Sequence, residues 1–233
     1  MIRSTDCQVE VYDDADAISA AVVDIVKAES AKAIKAKGSF SMAIPSGSMV
    51  KALTGLSKDD CEFDKFHVFF TNEFKGGEYV SFPQCTEDFS GPCGIPDAQV
   101  YKHTEQGPAG RDDYLKRLQD CPATAEKGNV DLVLLGTGDD GHCAFIFPDS
   151  PELAKAGSGE LVLAAEGGTV TVGLDFINGC GKVVLGAATG GRGEMVKKAL
   201  TEGKNSGMAT GNVMAKDTVW LCDTDSIAPF KAA

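Results

Sequence analysis

Positive charge is what this chain is short of. Against 34 aspartates and glutamates it carries 22 lysines and arginines, giving a net charge of −12 and a pI near 4.7. Binding DNA or RNA depends on neutralising phosphates with Lys and Arg, so no nucleic-acid partner is expected. The same shortage means that an anionic substrate has to be held by a local positive patch or by backbone amides, against an unfavourable overall field. Also lacking is any apolar run near the roughly 18 residues a membrane span needs, so no insertion into a bilayer is expected. The opening Met1-Ile-Arg-Ser-Thr-Asp-Cys7 has no apolar core of the signal-peptide kind. The expectation is a soluble, intracellular, cytoplasmic protein. An organelle such as a plastid stays open for a chain that has lost a targeting segment.

Metal-ligand spacing is missing too. The eight cysteines, at 7, 61, 85, 93, 121, 143, 180 and 222, are scattered without a Cys-x-x-Cys pair. That argues against a zinc site and against a disulfide scaffold, and leaves most of them to be small buried hydrophobes. No metal and no cofactor is expected. There are no repeats and no low-complexity linkers. What remains is an ordinary globular composition, 43% hydrophobic and 24% charged over 233 residues, which fits a single domain spanning 1–233.

Apolar runs and turn residues divide the chain into alternating strands and helices. Gln8–Val11 reads as a strand, followed by an Ala-rich helix opened by Asp14 or Asp16 and closed by Gly38. Phe40–Ile44, Phe66–Phe70, Val130–Leu135, Lys182–Gly186 and Val219–Cys222 read as further strands. Val100–Lys102 reads as a short strand, and Leu161–Ala164 with Val170–Leu174 as a hairpin. Helices are expected over Met49–Leu56, Gly110–Leu118 and Gly193–Leu200. Residues 76–98, rich in Gly, Pro, Ser and Cys, read as a long loop, and 149–159 as a polar loop. The pattern implies an α/β fold: one doubly wound, mostly parallel sheet with helices on both faces.

Chemistry concentrates after the central strand, in Gly136-Thr-Gly138-Asp-Asp140-Gly141-His142. A carboxylate and an imidazole two residues apart, in a glycine turn at the carboxyl end of a buried strand, lie where open α/β sheets put their ligands. A second corner is Pro45-Ser-Gly-Ser48 between a strand and a helix, where unpaired amides can meet an anion. Bland readings suit the rest. His67 is expected at the edge of the core, His103 in solvent, and Trp220 in the core, while Asp112 and Asp113 open a helix.

The run from Gly136 through Asp140-Gly141-His142-Cys-Ala-Phe-Ile-Phe147-Pro148 resembles the Gly-x-Gly-x-Asp-Gly-His-Thr-x-Ser-Leu-Phe-Pro signature of the 6-phosphogluconolactonases, within the group that includes glucosamine-6-phosphate deaminase. Further segments resemble the family in order: Ile44-Pro-Ser-Gly47-Ser48, Phe69-Phe-Thr-Asn-Glu73-Phe, Gly94-Ile-Pro-Asp-Ala-Gln-Val100, Thr169-Val-Thr-Val, Thr189-Gly-Gly-Arg-Gly193 and Trp220-Leu-Cys-Asp223. The resemblance implies metal-free hydrolysis of a sugar-phosphate δ-lactone, 6-phosphogluconolactone, to the open acid in the pentose phosphate pathway. It casts His142 as the base and Asp140 as the group that orients it. It also gives Ser46, Gly47, Ser48, Glu73 and Arg192 to the substrate and its phosphate. An imidazole, titrating at roughly pKa 6.5 when unperturbed, suits such proton transfer.

The sequence also departs from the pattern. Phe74 and Thr169 stand where the family has arginines, Pro45 where it has serine, Phe145 where it has the serine after Gly-His-Thr-x, and Met208-Ala-Thr210 where it has Leu-Pro-Ala. Lys51, Lys75 and Lys197 could stand in for the arginines, although each also reads as a solvated surface lysine. Two readings follow. In one the chain is a working lactonase acting on a sugar-phosphate lactone or related small anion. In the other it is a catalytically impaired homologue, a binding or structural subunit with a protein partner. The deaminase reading fits less well, because Trp220-Leu-Cys-Asp223 and the Gly-Ile-Pro segment look lactonase-like.

Overall fold

The apolar runs become strands because both of their faces have partners to bury against. The computed structural model describes residues 2–4, 7–125, 128–188 and 191–232. In chain order its first elements are β1 (Ile2–Ser4), β2 (Cys7–Tyr12), α1 (Ala15–Lys37), β3 (Phe40–Ile44), α2 (Ser48–Ala52), β4 (Phe66–Phe70), β5 (Asn72–Glu73), α3 (Ser81–Cys85), α4 (Gly91–Cys93) and α5 (Gly107–Asp120). There follow β6 (Leu132–Gly136), α6 (Pro151–Ala154), β7 (Val162–Ala164), β8 (Val170–Val172), α7 (Leu174–Gly179), β9 (Lys182–Ala187), α8 (Gly193–Glu202), β10 (Thr218–Asp223) and α9 (Thr224–Lys231).

The main sheet has the order β1-β2-β10-β9-β6-β3-β4, parallel throughout except for β1, which pairs antiparallel to β2 at the edge. Successive side chains of its strands enter opposite cores. Met42, Ile44, Leu132, Leu134 and Val184 pack under α1 and α2. Ala43, Val133, Leu135, Val183 and Leu185 pack under α5, α7, α8 and α9. The doubly wound expectation therefore holds. The hairpin expectation also holds, since β7 and β8 pair antiparallel and join β5 in a second, three-stranded sheet.

Local signals set the long first helix. Asp14 accepts from the amide of Ala17, and Gly38, at φ 82°, returns its amide to Ile34 at the other end. Between them Ile18, Val22, Val26 and Ile34 form the buried stripe. Trp220 is 2% exposed, in the core. Six of the eight cysteines are buried as well, all but Cys7 and Cys61.

Other expectations fail, for tertiary reasons. Residues 81–93 are not loop: α3, a π-helical stretch over Thr86–Ser90 and α4 run on from one another. The 149–159 segment contains the short α6, capped by Ser150, whose hydroxyl accepts from the Leu153 amide. Val100–Lys102 makes only one bridge, Val100 to Val68. Asp112 and Asp113 lie in the second turn of α5, which begins at Gly107, and Asp113 accepts from Thr104 and Arg117. His103 is not solvated. Its ring is 1% exposed and stacks on Tyr114 with centroids 3.6 Å apart.

Winding direction fixes where a ligand can sit. From β3 the chain moves outward to β4, whereas from β6 it moves the opposite way, to β9 and then β10. The order therefore reverses between β6 and β3, and the crevice beyond their carboxyl ends is the switch point of the sheet. The Ser/Gly corner follows β3 and the Asp/His turn follows β6, so the fold sets the two sequence candidates side by side.

Candidate active site

The turn after β6 is built to hold one imidazole. The Gly138 amide donates to the His142 carbonyl at 2.9 Å, and the Gly141 amide to the Gly138 carbonyl at 3.0 Å. Gly141 sits at φ 87°, and a Cβ there would come within 2.3 Å of the Met208 sulfur. A Cβ on Gly138 would lie 2.1 Å from His142 Nδ1, so no larger residue fits beneath the ring. From the far side, Thr210 ties the turn down. Its amide and its hydroxyl both donate to the Gly141 carbonyl, at 3.1 and 3.0 Å. Sequence reasoning noted Met208-Ala-Thr210 only as a departure, and its role as the floor of the turn depends on a contact 69 residues away.

Within this frame Asp140 Oδ1 accepts from the His142 amide at 3.0 Å and meets His142 Nδ1 at 2.6 Å. Partial burial pushes the Asp140 carboxyl up, but the amide and the ring both favour its charged form and bring it below the usual carboxylate range. An ionised carboxylate only accepts, so Nδ1 carries a proton, and in the neutral ring the lone pair is on Nε2. Among the described residues Nε2 has no hydrogen-bond partner, and the side chain is 34% exposed. The pair is therefore an oriented, accessible base. Cys143, next in the chain, is no rival: burial pushes its thiol up to about 12.

Arg192 lies against the same turn. Its Nε donates to the Thr137 carbonyl at 2.9 Å, its Nη1 to the Ala188 carbonyl at 2.9 Å, and Asp139 is 3.4 Å away. Thr137 in turn donates to the Gly186 carbonyl at 3.0 Å, and Gly186 is where Met49 of α2 packs, its sulfur 2.5 Å from a Cβ built there. Through Gly186 and the buried Met49 and Thr137 the Ser/Gly corner is thus linked to the end of β9 and to Arg192 beside the Asp140–His142 turn. Thr189 and Gly190, which complete the Arg192 segment, lie outside the described residues.

Four predicted site residues need comment. Glu73 faces no substrate. It is 0% exposed, and its oxygens accept from the amides of Val80, Ser81 and Phe82 at 2.6, 2.7 and 2.9 Å, which caps α3. Fully buried and bonded to three amides, Glu73 is closed to a ligand, contrary to its assignment to the substrate. Ser46 and Ser48 do reach the surface of the corner. Gly47, at φ 84°, is already engaged: its amide donates to Gln84 Oε1 at 2.7 Å, and its carbonyl accepts from Gln84 Nε2 at 3.1 Å.

The departures from the family pattern are linked to one another. Thr169 donates to the Phe74 carbonyl at 2.8 Å, in a buried contact between β8 and the end of β5. The Phe74 ring, 3% exposed, packs on Tyr79 and His103 and stays out of the His142 patch. The two positions where the family pattern has arginines are here one apolar, internally bonded unit. Phe145 donates its amide to Thr171 and sets its ring edge-on to Phe147, and the Phe147 ring is the one beside His142, at 4.6 Å. Lys51 and Lys75 are exposed.

A sheet wound both ways from a seam, with an oriented base and a glycine corner on either side of it, defines a doubly wound α/β protein of the kind that takes small ligands at its switch point. Comparison with known proteins makes this narrower. The model of the glucosamine-6-phosphate isomerases/6-phosphogluconolactonase family matches residues 13–220, and the chain belongs to that family. It is 28% identical to 6-phosphogluconolactonase 3, chloroplastic, of Arabidopsis thaliana, over 93% of this chain and 73% of that one. It is 27% identical to probable 6-phosphogluconolactonase 4, chloroplastic, of Oryza sativa subsp. indica, over 62% of this chain, and spans 50% of that relative's length. The crystal structure of 6-phosphogluconolactonase from Thermotoga maritima shares the fold, with a TM-score of 0.76 over 94% of this chain and 100% of that one at 19% identity. No described helix is long and apolar enough to cross a membrane.

Proposed function

We propose that this chain, acting as one domain over 1–233, hydrolyses a sugar-phosphate δ-lactone, 6-phosphogluconolactone, to 6-phosphogluconate. The observation that carries the reading is the 2.6 Å contact between His142 Nδ1 and Asp140, which leaves Nε2 free to act as base at the switch point. His142 Nε2 takes a proton from water, and the resulting hydroxide oxygen adds to the lactone carbonyl. Asp140 holds the ring in place and stabilises the imidazolium. As the tetrahedral oxyanion collapses, the bond from the carbonyl carbon to the ring oxygen breaks. The imidazolium returns its proton to that oxygen, giving acid and free hydroxyl. A lactone is an activated ester, so positioning and charge stabilisation suffice without a covalent nucleophile. Ser46, Gly47 and Ser48 with Arg192 serve the phosphate in this reading.

A second reading, a non-catalytic binding subunit, draws on the inward bonding of Arg192 and of the Gly47 amide. One experiment separates the two. Lactone hydrolysis is followed against the spontaneous rate for wild type and for His142→Ala. The lactonase reading expects catalysis in wild type and a loss of roughly 10²–10⁴-fold in the variant. If both match the buffer blank, the second reading stands.

A further inference from the structure

The surroundings of His142 are poor in available positive charge and rich in aromatic surface. The segment from 136 to 149 carries Asp139, Asp140 and Asp149 but no lysine or arginine. Arg192, which lies against it, is committed inward. Its Nε and Nη1 donate to the Thr137 and Ala188 carbonyls, and Asp139 stands 3.4 Å away. The amide of Gly47 donates to Gln84 at 2.7 Å, and Lys51 shares a groove between α1 and α2 with Asp16 and Asp24. Phe74 and Thr169 are buried and bonded to each other. A phosphate arriving beside His142 therefore meets like charge, and Arg192 and the Gly47 amide would each have to leave a partner to receive it.

What stands beside the base is carbon. The Phe147 ring lies 4.6 Å from the His142 ring at 39°, and Phe145 sets its ring edge-on to Phe147 at 4.9 Å. Both phenylalanines are half-buried, so each keeps part of its ring in the open. An aromatic wall of this kind suits the C–H face of a six-membered lactone ring, whose hydroxyls stay at its rim. The reaction asks for nothing more. His142 takes a proton from water, the hydroxide oxygen adds to the carbonyl carbon, and the bond from that carbon to the ring oxygen breaks as the proton passes to the ring oxygen. A phosphate on a carbon outside the ring takes no part in these steps.

We infer that the site also hydrolyses uncharged polyhydroxy δ-lactones, the phosphate adding little to recognition. The inference rests on the reading of His142 as the base of a lactonase and extends that reading to a second class of substrate. The test is kcat/KM for 6-phosphogluconolactone and for glucono-δ-lactone, its unphosphorylated counterpart, each measured above its spontaneous rate at low and at high salt. Wild type should turn over the two lactones within about tenfold of one another, and salt should leave the ratio unchanged. A site making two charge-assisted hydrogen bonds to the phosphate would prefer the phosphorylated lactone by about a hundredfold or more, and salt would erode the preference. His142→Ala should abolish both activities. A preference beyond tenfold for the phosphorylated lactone, or hydrolysis of the uncharged one that survives His142→Ala, overturns the inference and leaves the sugar-phosphate reading standing. Hydrolysis of the uncharged lactone alone supports the inference and ends the sugar-phosphate reading. Hydrolysis of neither ends both.

Discussion

Acid should weaken this protein through one histidine far from its chemistry. His103 is 1% exposed, neither ring nitrogen has a partner among the described residues, and its ring is stacked on Tyr114 beside Phe74. Burial pushes its imidazole down to about 3, with Asp113 pulling it up and Arg117 pushing it further down. In the unfolded chain a histidine titrates at roughly 6.5. Below that value the unfolded state binds a proton that the folded state refuses, so stability is complete above pH 6.5 and is lost as pH falls towards 3. Each unit of pH in that window is worth about 1.4 kcal/mol, so by pH 5 the loss is about 2 kcal/mol. Urea unfolding of wild type and His103→Leu between pH 7 and pH 5 isolates this contribution, because the other carboxylates and histidines are common to both proteins. The wild type should lose about 2 kcal/mol more than the variant over that range. Equal losses would mean that His103 is protonated inside the fold, and the reasoning would be wrong.

Two further outcomes follow from the site. Gly138→Ala should lower lactone hydrolysis by roughly a hundredfold while leaving the thermal midpoint nearly unchanged, since the new methyl displaces the His142 ring and the Asp140 carboxylate that orients it; full activity in the variant would show that the pair needs no such positioning. Restoring arginine at 74 and 169 should not recover phosphate binding. It should instead destabilise the chain by about 3 kcal/mol or more, because both side chains are buried and the new charges have no partner there. A double variant that melts like wild type and binds phosphate more tightly would refute this.

Much of the fold was legible because burial on both faces leaves a plain mark. Phe40–Ile44 and Phe66–Phe70 were read with the bounds they have, as apolar runs each interrupted by a single polar residue, Ser41 and His67. The Asp140–His142 pair was legible for a similar reason, since its bond spans two residues and the glycines around it signal the turn. What stayed hidden depends on distant contacts. Pro83, Gly91 and Pro92 made 81–93 look like loop, and the helix there relies on a cap that Glu73 supplies from outside the segment. His103 looked solvated because Lys102, Thr104 and Glu105 surround it in sequence, whereas in space it meets Tyr114 and Phe74. Gln84 carries no signal of its own, being 37 residues from the glycine it holds.

The seam between β6 and β3 has a mechanical side. Only two residue pairs are in register across it, Met42 with Leu132 and Ala43 with Val133, against five between β3 and β4 and five between β6 and β9. At its base the seam is stitched by Asp131, which accepts from the amide and hydroxyl of Ser41 at 2.8 and 2.9 Å and pairs with Lys37 at 2.8 Å. The lone charge in the central apolar run is therefore a rivet. One end of the seam is thus riveted and the other has no register pair, and the open end is the one that leads to His142.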